Sequence, residues 1–157
     1  MEEKLVQLLI EKKLKITTAE SCTGGLVAAT IVNVPGASGV LEEAYITYAN
    51  RAKRELLGVK KKTLKKHGAV SKKTARQMAK GAAWLADADV AISVTGIAGP
   101  DGGTKEKPVG LVYIGCYVNG KTKVLECHFD GDRLAVRKQT VATALAFALD
   151  CVNASFD

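Results

Sequence analysis

Apolar residues recur along the chain with two different spacings, and the spacing separates predicted helices from predicted strands. Apolar positions three and four residues apart among charged ones predict amphipathic helices, whereas short runs rich in β-branched and aromatic residues predict strands. The predicted helices span residues 3–13, 22–33, 51–57, 61–66, 71–85 and 133–152, and the predicted strands span residues 15–19, 44–48, 89–95, 110–118 and 121–129.

Capping and turn residues mark several boundaries between these elements. Asn50, Ser71 and Asp132 favour helix N-caps, because their side-chain oxygens accept hydrogen bonds from the free N–H groups of the first turn. Gly58 suits the end of a helix. Asn119-Gly120 predicts a tight hairpin, since a type I′ turn needs positive φ at both central residues.

The order of the elements predicts an α/β fold. Helices alternate with strands in the first half of the chain, and a hairpin follows late. The nearly continuous apolar run over residues 89–95 is typical of a strand that is covered on both faces. We therefore predict one domain over residues 1–157, with a mixed sheet of about five strands and helices on both faces.

Composition and charge narrow the class of protein and its partners. The chain has 157 residues, 47% hydrophobic and 25% charged, which is ordinary for a globular domain. No apolar run approaches the roughly 20 residues of a membrane span, so we expect a cytoplasmic protein without membrane contact. The net charge of +7 favours anionic ligands. The basic run over residues 60–66 has no aromatic or arginine side chain for stacking, so we expect a solvated helix face and no nucleic-acid partner.

The cysteines and histidines do not form a metal-binding pattern. No two cysteines have CxxC spacing, and His67 and His128 lie far apart, so we expect no metal ion. Disulfides are rare in cytosolic proteins, and none is expected here. Cys116, Cys127 and Cys151 are interpreted as buried small apolar residues.

Two glycine-containing loops that follow predicted strands form the candidate site. They are TTAESCTGG, residues 17–25, and TGIAGPDGG, residues 95–103. If the two strands are parallel neighbours, both loops reach the same edge, where open α/β sheets bind ligands. Free N–H groups at the start of a helix near Cys22 would bind an anion or oxyanion, and Gly24 and Gly25 would allow close approach to the backbone.

Ser21 and Cys22 are alternative nucleophiles in the first loop. A serine at the start of a helix is commonly an N-cap, so the residue type alone favours a structural role for Ser21. For Cys22, a thiolate is intrinsically the better nucleophile, and a helix start lowers the pKa of a thiol, but no histidine lies near it in the sequence.

Six motifs, in order along the chain, resemble those of the CinA C-terminal domain family. The motifs are TAESCTGG (18–25), YITYAN followed by Lys53 (45–53), LGV (57–59), HGAVS (67–71), TGIAGPDGG with KPVG (95–110), and GDR followed by a second arginine (131–137). The resemblance covers roughly residues 5–150. It implies a three-layer α/β/α sandwich, often dimeric, that hydrolyses the carboxamide of nicotinamide mononucleotide to nicotinic acid mononucleotide and ammonia. The chain would then be a single amidohydrolase domain that needs no cofactor.

The resemblance also implies three catalytic residues. Ser21 is the implied nucleophile, and Tyr48 and Lys53 are the implied activating pair, a variant of the triad arrangement. A lysine base must be partly neutral, so burial or nearby positive charge has to lower its pKa. Tyr48 would hold Lys53 in place or relay a proton. The structural alternatives are a solvated helix lysine and a packed strand aromatic.

The rest of the two loops and the last helix are expected to bind the mononucleotide. Glu20 would orient the ribose or neutralise the catalytic lysine, with a surface carboxylate as the alternative. Arg133 and Arg137, four residues apart on one helix face, are assigned to the 5′-phosphate, with ion pairs to Asp132 or Glu126 as the alternative. The expected substrate-binding residues are Glu20, Cys22, Thr23, Gly24, Gly25, Thr95, Gly96, Ile97, Ala98, Arg133 and Arg137.

A second hypothesis is a catalytically silent nucleotide-binding or regulatory module, because many family members carry an additional N-terminal domain. The chain begins at its first predicted helix and keeps the serine, tyrosine and lysine, so we expect an enzyme instead. We also expect the protein to form a homodimer. Its expected ligand is a small mononucleotide, which is the substrate.

Overall fold

The computed structural model of the protein describes residues 1–156, and its elements follow the predicted order. The helices are α1 (Glu2–Lys12), α2 (Leu26–Val32), α3 (Asn50–Leu57), α4 (Lys61–His67), α5 (Lys72–Ala86) and α6 (Arg133–Phe156), and the strands are β1 (Ile16–Glu20), β2 (Tyr45–Ile46), β3 (Val90–Gly96), β4 (Leu111–Val118) and β5 (Lys121–His128). None of the helices over these residues combines the length and apolarity that crossing a membrane requires.

The strands form one mixed sheet in the order β2-β1-β3-β4-β5. β1 runs parallel to both β2 and β3, whereas β4 is antiparallel to β3 and β5. The larger apolar core joins the sheet to α1, α2 and α6, and a second core joins the opposite face to α3 and α5. The prediction of an α/β sandwich with a mixed five-stranded sheet is confirmed.

The central strand β3 shows why its sequence is apolar throughout. Val90, Ile92 and Val94 pack into the larger core, while Ala91 packs into the second core beside Met78 of α5. A strand with helices on both faces has no solvent-facing side, so the alternation of apolar and polar residues disappears.

Several predicted boundaries are confirmed by their hydrogen bonds and dihedral angles. The Ser71 Oγ accepts from the N–H of Thr74 at 3.1 Å, and a carboxylate oxygen of Asp132 accepts from the N–H of Ala135 at 2.8 Å. Gly58 ends α3 in the left-handed conformation. Asn119 and Gly120 have φ values of 45° and 84°, as the hairpin turn requires.

The start of α2 differs from the prediction. Gly24 and Gly25 have φ values of 58° and 103°, which an α-helix does not accommodate, so the helix begins at Leu26 instead of Cys22. Residues 21–25 form a turn instead.

Three other boundaries also differ. β2 contains two residues instead of five, because only Tyr45 and Ile46 pair with β1. Asn50 is the first residue of α3 and not its cap, a position that Ala49 takes without a side-chain hydrogen bond. The last helix runs on to Phe156.

Candidate active site

The two loops meet at one edge of the sheet, as the sequence predicted. β1 and β3 are parallel neighbours in register, with Glu20 opposite Val94. The N–H of Ser21, the first residue after β1, donates to the carbonyl of Val94 at 3.0 Å. Ser21 therefore lies at the carboxyl end of the two central parallel strands, where ligands bind in open α/β sheets.

Lys53 is brought to this edge by the turn between β2 and α3. Side chains on a helix lean towards its N-terminus, so a lysine in the first turn of α3 reaches back to the end of β2. The Nζ of Lys53 lies 2.8 Å from the carbonyl oxygen of Thr47 and 3.1 Å from that of Tyr48. It also lies 3.0 Å from the Oγ of Ser21. The serine and the lysine thus form a hydrogen-bonded pair across 32 residues of sequence.

These three contacts suit both protonation states of the Lys53 amine. An uncharged lysine has two N–H bonds and one lone pair. As an ammonium, Lys53 donates its three N–H bonds to the Ser21 Oγ and to the carbonyls of Thr47 and Tyr48; in its uncharged form the two carbonyls keep the two N–H bonds, and the lone pair faces the Ser21 hydroxyl. The arrangement can therefore accept a proton from Ser21.

Burial adjusts the pKa of this amine in the same direction. Lys53 is 1% exposed, and the loss of hydration lowers its pKa to about 8 from its ordinary 10.5. The ion pairs found over residues 1–156 do not include Lys53, so the expectation that Glu20 neutralises it is wrong. With this pKa, about a tenth of the lysine is neutral at pH 7.

Glu20 stabilises the first loop from inside. Its carboxylate is fully buried and accepts four hydrogen bonds, from the hydroxyls of Thr18 and Thr23 and from the N–H groups of Val27 and Ala28. The last two are free donors in the first turn of α2, whose dipole also favours a negative charge. Because protein donors occupy both oxygens, Glu20 acts as a remote helix cap; it is neither a surface carboxylate nor oriented towards a ribose.

Cys22 has the properties of a buried structural thiol. It is 7% exposed, and burial raises the pKa of its thiol to about 11. A thiol that stays protonated is a poor nucleophile. Between the two candidate nucleophiles, the structure therefore favours Ser21.

The backbone of the turn after Ser21 offers donors for an oxyanion. Over residues 1–156, the N–H groups of Cys22 and Thr23 donate to no backbone carbonyl. Gly24 is exposed and Gly25 is partly exposed, which leaves the backbone of this turn open to a ligand. Thr23 is fully buried, backbone included, and its hydroxyl donates to Glu20, so contact of this residue with a substrate stays a prediction.

Tyr48 occupies a different position from the one expected. Its side chain is 61% exposed, so it is not a packed strand aromatic. Its hydroxyl oxygen accepts a hydrogen bond from Arg133 at 3.0 Å, while its backbone carbonyl accepts the bond from Lys53. Tyr48 therefore holds Lys53 through the main chain, and its phenol lies at the rim of the site.

The second loop anchors neighbouring segments. The Thr95 hydroxyl, which is buried, donates to the carbonyl of Ala69 at 2.8 Å. The backbone of Ile97 exchanges hydrogen bonds with Leu111 and Gly110. Contact of Thr95, Gly96, Ile97 and Ala98 with a substrate stays a prediction.

The two arginines of α6 connect the last helix to the site. Arg137 donates from Nε to the carbonyl of Cys22 at 3.0 Å and from Nη2 to that of Thr23 at 3.1 Å. Arg133 donates to the carbonyl of Gly99 at 2.7 Å as well as to Tyr48. Within the described part of the chain, neither arginine forms the alternative ion pair with Asp132 or Glu126.

Thr47 belongs to the site although it was not among the predicted site residues. Its carbonyl is the nearest acceptor of Lys53, and its buried hydroxyl has no hydrogen-bond partner among the residues that the structure describes. The only available signal was its position, six residues before the lysine at the end of a β-prone segment. Over residues 1–156, no cluster of three or more His, Cys, Asp or Glu side chains is placed to hold a metal ion.

Comparison with known proteins relates this architecture to one family. The family model described as the CinA C-terminal domain matches residues 1–152. The chain is 57% identical over 153 residues to a CinA-like protein of Kosmotoga olearia, and the match covers 98% of this chain and 36% of that protein. It is 56% identical over 145 residues to a protein of Clostridium novyi named for competence-damage induction, which covers 92% of this chain and 35% of the relative. The chain thus spans about a third of the length of these curated relatives.

Solved structures agree over nearly the whole chain. A CinA superfamily protein of Klebsiella pneumoniae has a TM-score of 0.93 at 34% identity, covering 97% of this chain and 95% of its own. A competence/damage-inducible protein of Agrobacterium tumefaciens has a TM-score of 0.89 at 44% identity, with the same two coverages. The chain therefore belongs to the CinA C-terminal domain family.

Proposed function

We propose that the protein is an amidohydrolase that converts nicotinamide mononucleotide to nicotinic acid mononucleotide and ammonia. The observation that carries the proposal is the buried Lys53 amine, 3.0 Å from the Ser21 Oγ and without a carboxylate partner among residues 1–156. An amide is a weak electrophile, so its hydrolysis needs a nucleophile together with a base. Ser21 and Lys53, which are joined by one hydrogen bond, supply the nucleophile and the base.

The first half of the reaction forms an acyl-enzyme. Neutral Lys53 takes the proton of the Ser21 hydroxyl while Oγ attacks the carboxamide carbon. The negative charge that develops on the carboxamide oxygen is stabilised by N–H groups of the turn after Ser21, of which that of Cys22 donates to no backbone carbonyl among residues 1–156. When the C–N bond breaks, the Lys53 ammonium returns its proton to the leaving nitrogen, and ammonia departs.

The second half regenerates the serine. A water molecule attacks the ester carbon and gives its proton to Lys53, which then protonates the Ser21 oxygen as the ester bond breaks. The products are the free carboxylic acid and the original hydroxyl. Lys53 is neutral before each attack, so its lowered pKa serves both halves.

The positive charge of α6 supports a phosphorylated substrate. Arg133 is exposed and Arg137 is half-buried, and both lie against the loops that surround Ser21. A guanidinium has five N–H donors, and each arginine uses only two in the bonds described above. The remaining donors are available to a 5′-phosphate.

Ammonia release tests the reaction, and a phosphate-free analogue tests the substrate. We expect the wild type to release ammonia from nicotinamide mononucleotide faster than from nicotinamide riboside. In Arg133→Gln that preference should fall at least about tenfold through a raised KM, because a phosphate contact is lost. Arg51→Gln is the matched control, since Arg51 is exposed and pairs with Glu55 on α3.

The outcomes separate the two parts of the proposal. A folded wild type that releases no ammonia would contradict the amidohydrolase and favour a silent nucleotide-binding module. Undiminished preference for the mononucleotide in Arg133→Gln would contradict only the assignment of Arg133 to the phosphate.

A further inference from the structure

A second cluster of reactive side chains lies at the end of the sheet opposite to Ser21. Cys116 of β4 and Cys151 of α6 line one cavity of about 380 Å³ together with Lys121 and Lys123. The cavity also includes Val118, which pairs with the first residue of β3, whereas Ser21 follows the last residue of β1. Both thiols are free.

The pKa values of the two thiols are shifted in opposite directions. The neighbouring Cys116 thiol lowers the pKa of Cys151, and the nearby Lys123 ammonium acts in the same direction, against the effect of burial. The neighbouring Cys151 and burial raise the pKa of Cys116. One sulfur is therefore the better nucleophile, and its neighbour supplies a proton, which is the arrangement of an attacking and a resolving cysteine.

The cavity gives a small oxidant a route to this pair. Cys151 is 6% exposed and Cys116 is 1% exposed, so a bulky reagent has little access to either. A hydroperoxide needs far less room than the cavity provides, and the lysines in its wall stabilise a thiolate.

We propose that Cys116 and Cys151 form an oxidation site at which a hydroperoxide produces a reversible disulfide between β4 and α6. The Cys151 thiolate attacks one peroxide oxygen, the O–O bond breaks, and the other oxygen leaves as hydroxide or alkoxide. Cys151 is oxidised to the sulfenic acid and the peroxide is reduced. The Cys116 sulfur then attacks the sulfenic sulfur, and water leaves with the Cys116 proton.

The disulfide would join two elements that already share a core. It closes a loop from Cys116 to Cys151 and restricts the unfolded chain, so the oxidised protein should unfold at a temperature several degrees higher. A dithiol reductant should restore both thiols.

Peptide mapping can test the pairing directly, because trypsin separates the cysteines. Cys22, Cys116, Cys127 and Cys151 fall in peptides 16–51, 106–121, 124–133 and 139–157. After the folded protein is exposed to hydrogen peroxide, we expect peptides 106–121 and 139–157 to be linked, and the link to disappear with dithiothreitol. Cys127→Ser is the matched control and should leave the link unchanged.

Single variants test the order of the two steps. Cys116→Ser should accumulate a sulfenic acid at Cys151 that dimedone labels, whereas Cys151→Ser should leave Cys116 unlabelled. If the folded wild type keeps all four thiols under peroxide while a denatured control loses them, the proposal is wrong. A disulfide that involves Cys22 or Cys127 would also overturn it.

Discussion

The chemistry of the proposed reaction depends on how one lysine is surrounded. Lys53 makes hydrogen bonds to two carbonyls and to one hydroxyl, and it has no ion-pair partner among the described residues. The carbonyls favour the charged form, but burial opposes it more strongly, and the pKa falls to about 8. That value places the titration of the base within reach of an ordinary kinetic experiment.

The rate should therefore rise with pH. Since Lys53 loses its proton as the pH passes its pKa of about 8, kcat/KM should increase about tenfold per pH unit below pH 7 and level off above about pH 9. The phosphoryl group of the substrate titrates near pH 6, so its inflection is separate. If kcat/KM stayed constant between about pH 6 and pH 8, or fell as the pH rose, the result would contradict a lysine base.

Replacing the lysine should separate activity from stability. Lys53→Met keeps the length of the side chain but removes the base, so kcat should fall about 10²–10⁴-fold. The folded protein binds fewer protons than the unfolded chain between about pH 8 and 10.5, so the wild type gains stability as the pH rises through that window. Below about pH 8, Lys53 is charged in the folded protein as well, and burying that charge lowers the stability of the wild type. Lys53→Met should therefore be at least as stable as the wild type at pH 7.

Urea unfolding at pH 7 and pH 10 measures this difference. Lys80→Met is the matched control, because Lys80 is exposed on α5 and should change neither activity nor stability by much. A large loss of stability in Lys53→Met at pH 7 would show that the hydrogen bonds of Lys53 outweigh its burial.

At the level of single residues, the sequence predicted which residues are candidates for catalysis better than it predicted the contacts that those residues make. Ser21 and Lys53 were recognised through the resemblance, and the structure places them together. The roles of Glu20 and Tyr48 could not be predicted, because they depend on where the N-terminus of α2 and the guanidinium of Arg133 lie in the folded protein. Such contacts join residues that no local pattern relates.

Among the elements, α3 is the one whose placement controls the base. Its C-terminal end lies directly against α5 at Gly81, where an added Cβ would overlap the carbonyl oxygen of Leu57. Backbone meets backbone at this point, so neither helix can adjust a side chain to make room. The close approach fixes α3, and with it Lys53, relative to the sheet.

Gly81→Ala should therefore destabilise the protein and reduce its activity. Alanine gains about 1 kcal/mol of helix propensity, but forcing the helices apart should outweigh that and give a net loss of about 2–3 kcal/mol. Gly39→Ala is the control, since no atom of the described residues lies within 4 Å of the added Cβ there. Denaturant unfolding of the two variants makes the comparison, and equal stabilities would show that α3 can shift freely.

The boundaries of the elements could be predicted wherever local chemistry sets them. Ser71 and Asp132 cap their helices, and the Asn119-Gly120 turn forms, because each depends on neighbours within three residues. The start of α2 was missed because its cap comes from Glu20, six residues before the first helical residue. β2 was predicted too long, because its β-prone sequence continues past the two residues that pair.

Over the whole molecule, the candidate site is assembled from three distant parts of the chain. Ser21 follows β1, Lys53 belongs to α3, and Arg137 reaches the first loop from 114 residues away. Strand order explains the meeting of the loops, which the pattern of the chain predicted. The contribution of α6 could not be predicted, because it depends on how that helix packs across the sheet.

Two expectations about the whole protein stay predictions, the homodimer and the cytoplasmic location. Sedimentation velocity over a range of concentrations measures the first, and cell fractionation measures the second.

Ammonia release by two neighbouring variants tests the central claim most directly. Wild type, Ser21→Ala and Cys22→Ala are incubated with nicotinamide mononucleotide without added metal, and ammonia and the acid product are measured beside a folding control for each. Our account predicts an active wild type, a Cys22→Ala that keeps most of its rate, and a folded Ser21→Ala that loses about 10³-fold or more. A folded Ser21→Ala that remained active would contradict the account, because Ser21 would then be only a residue of the turn.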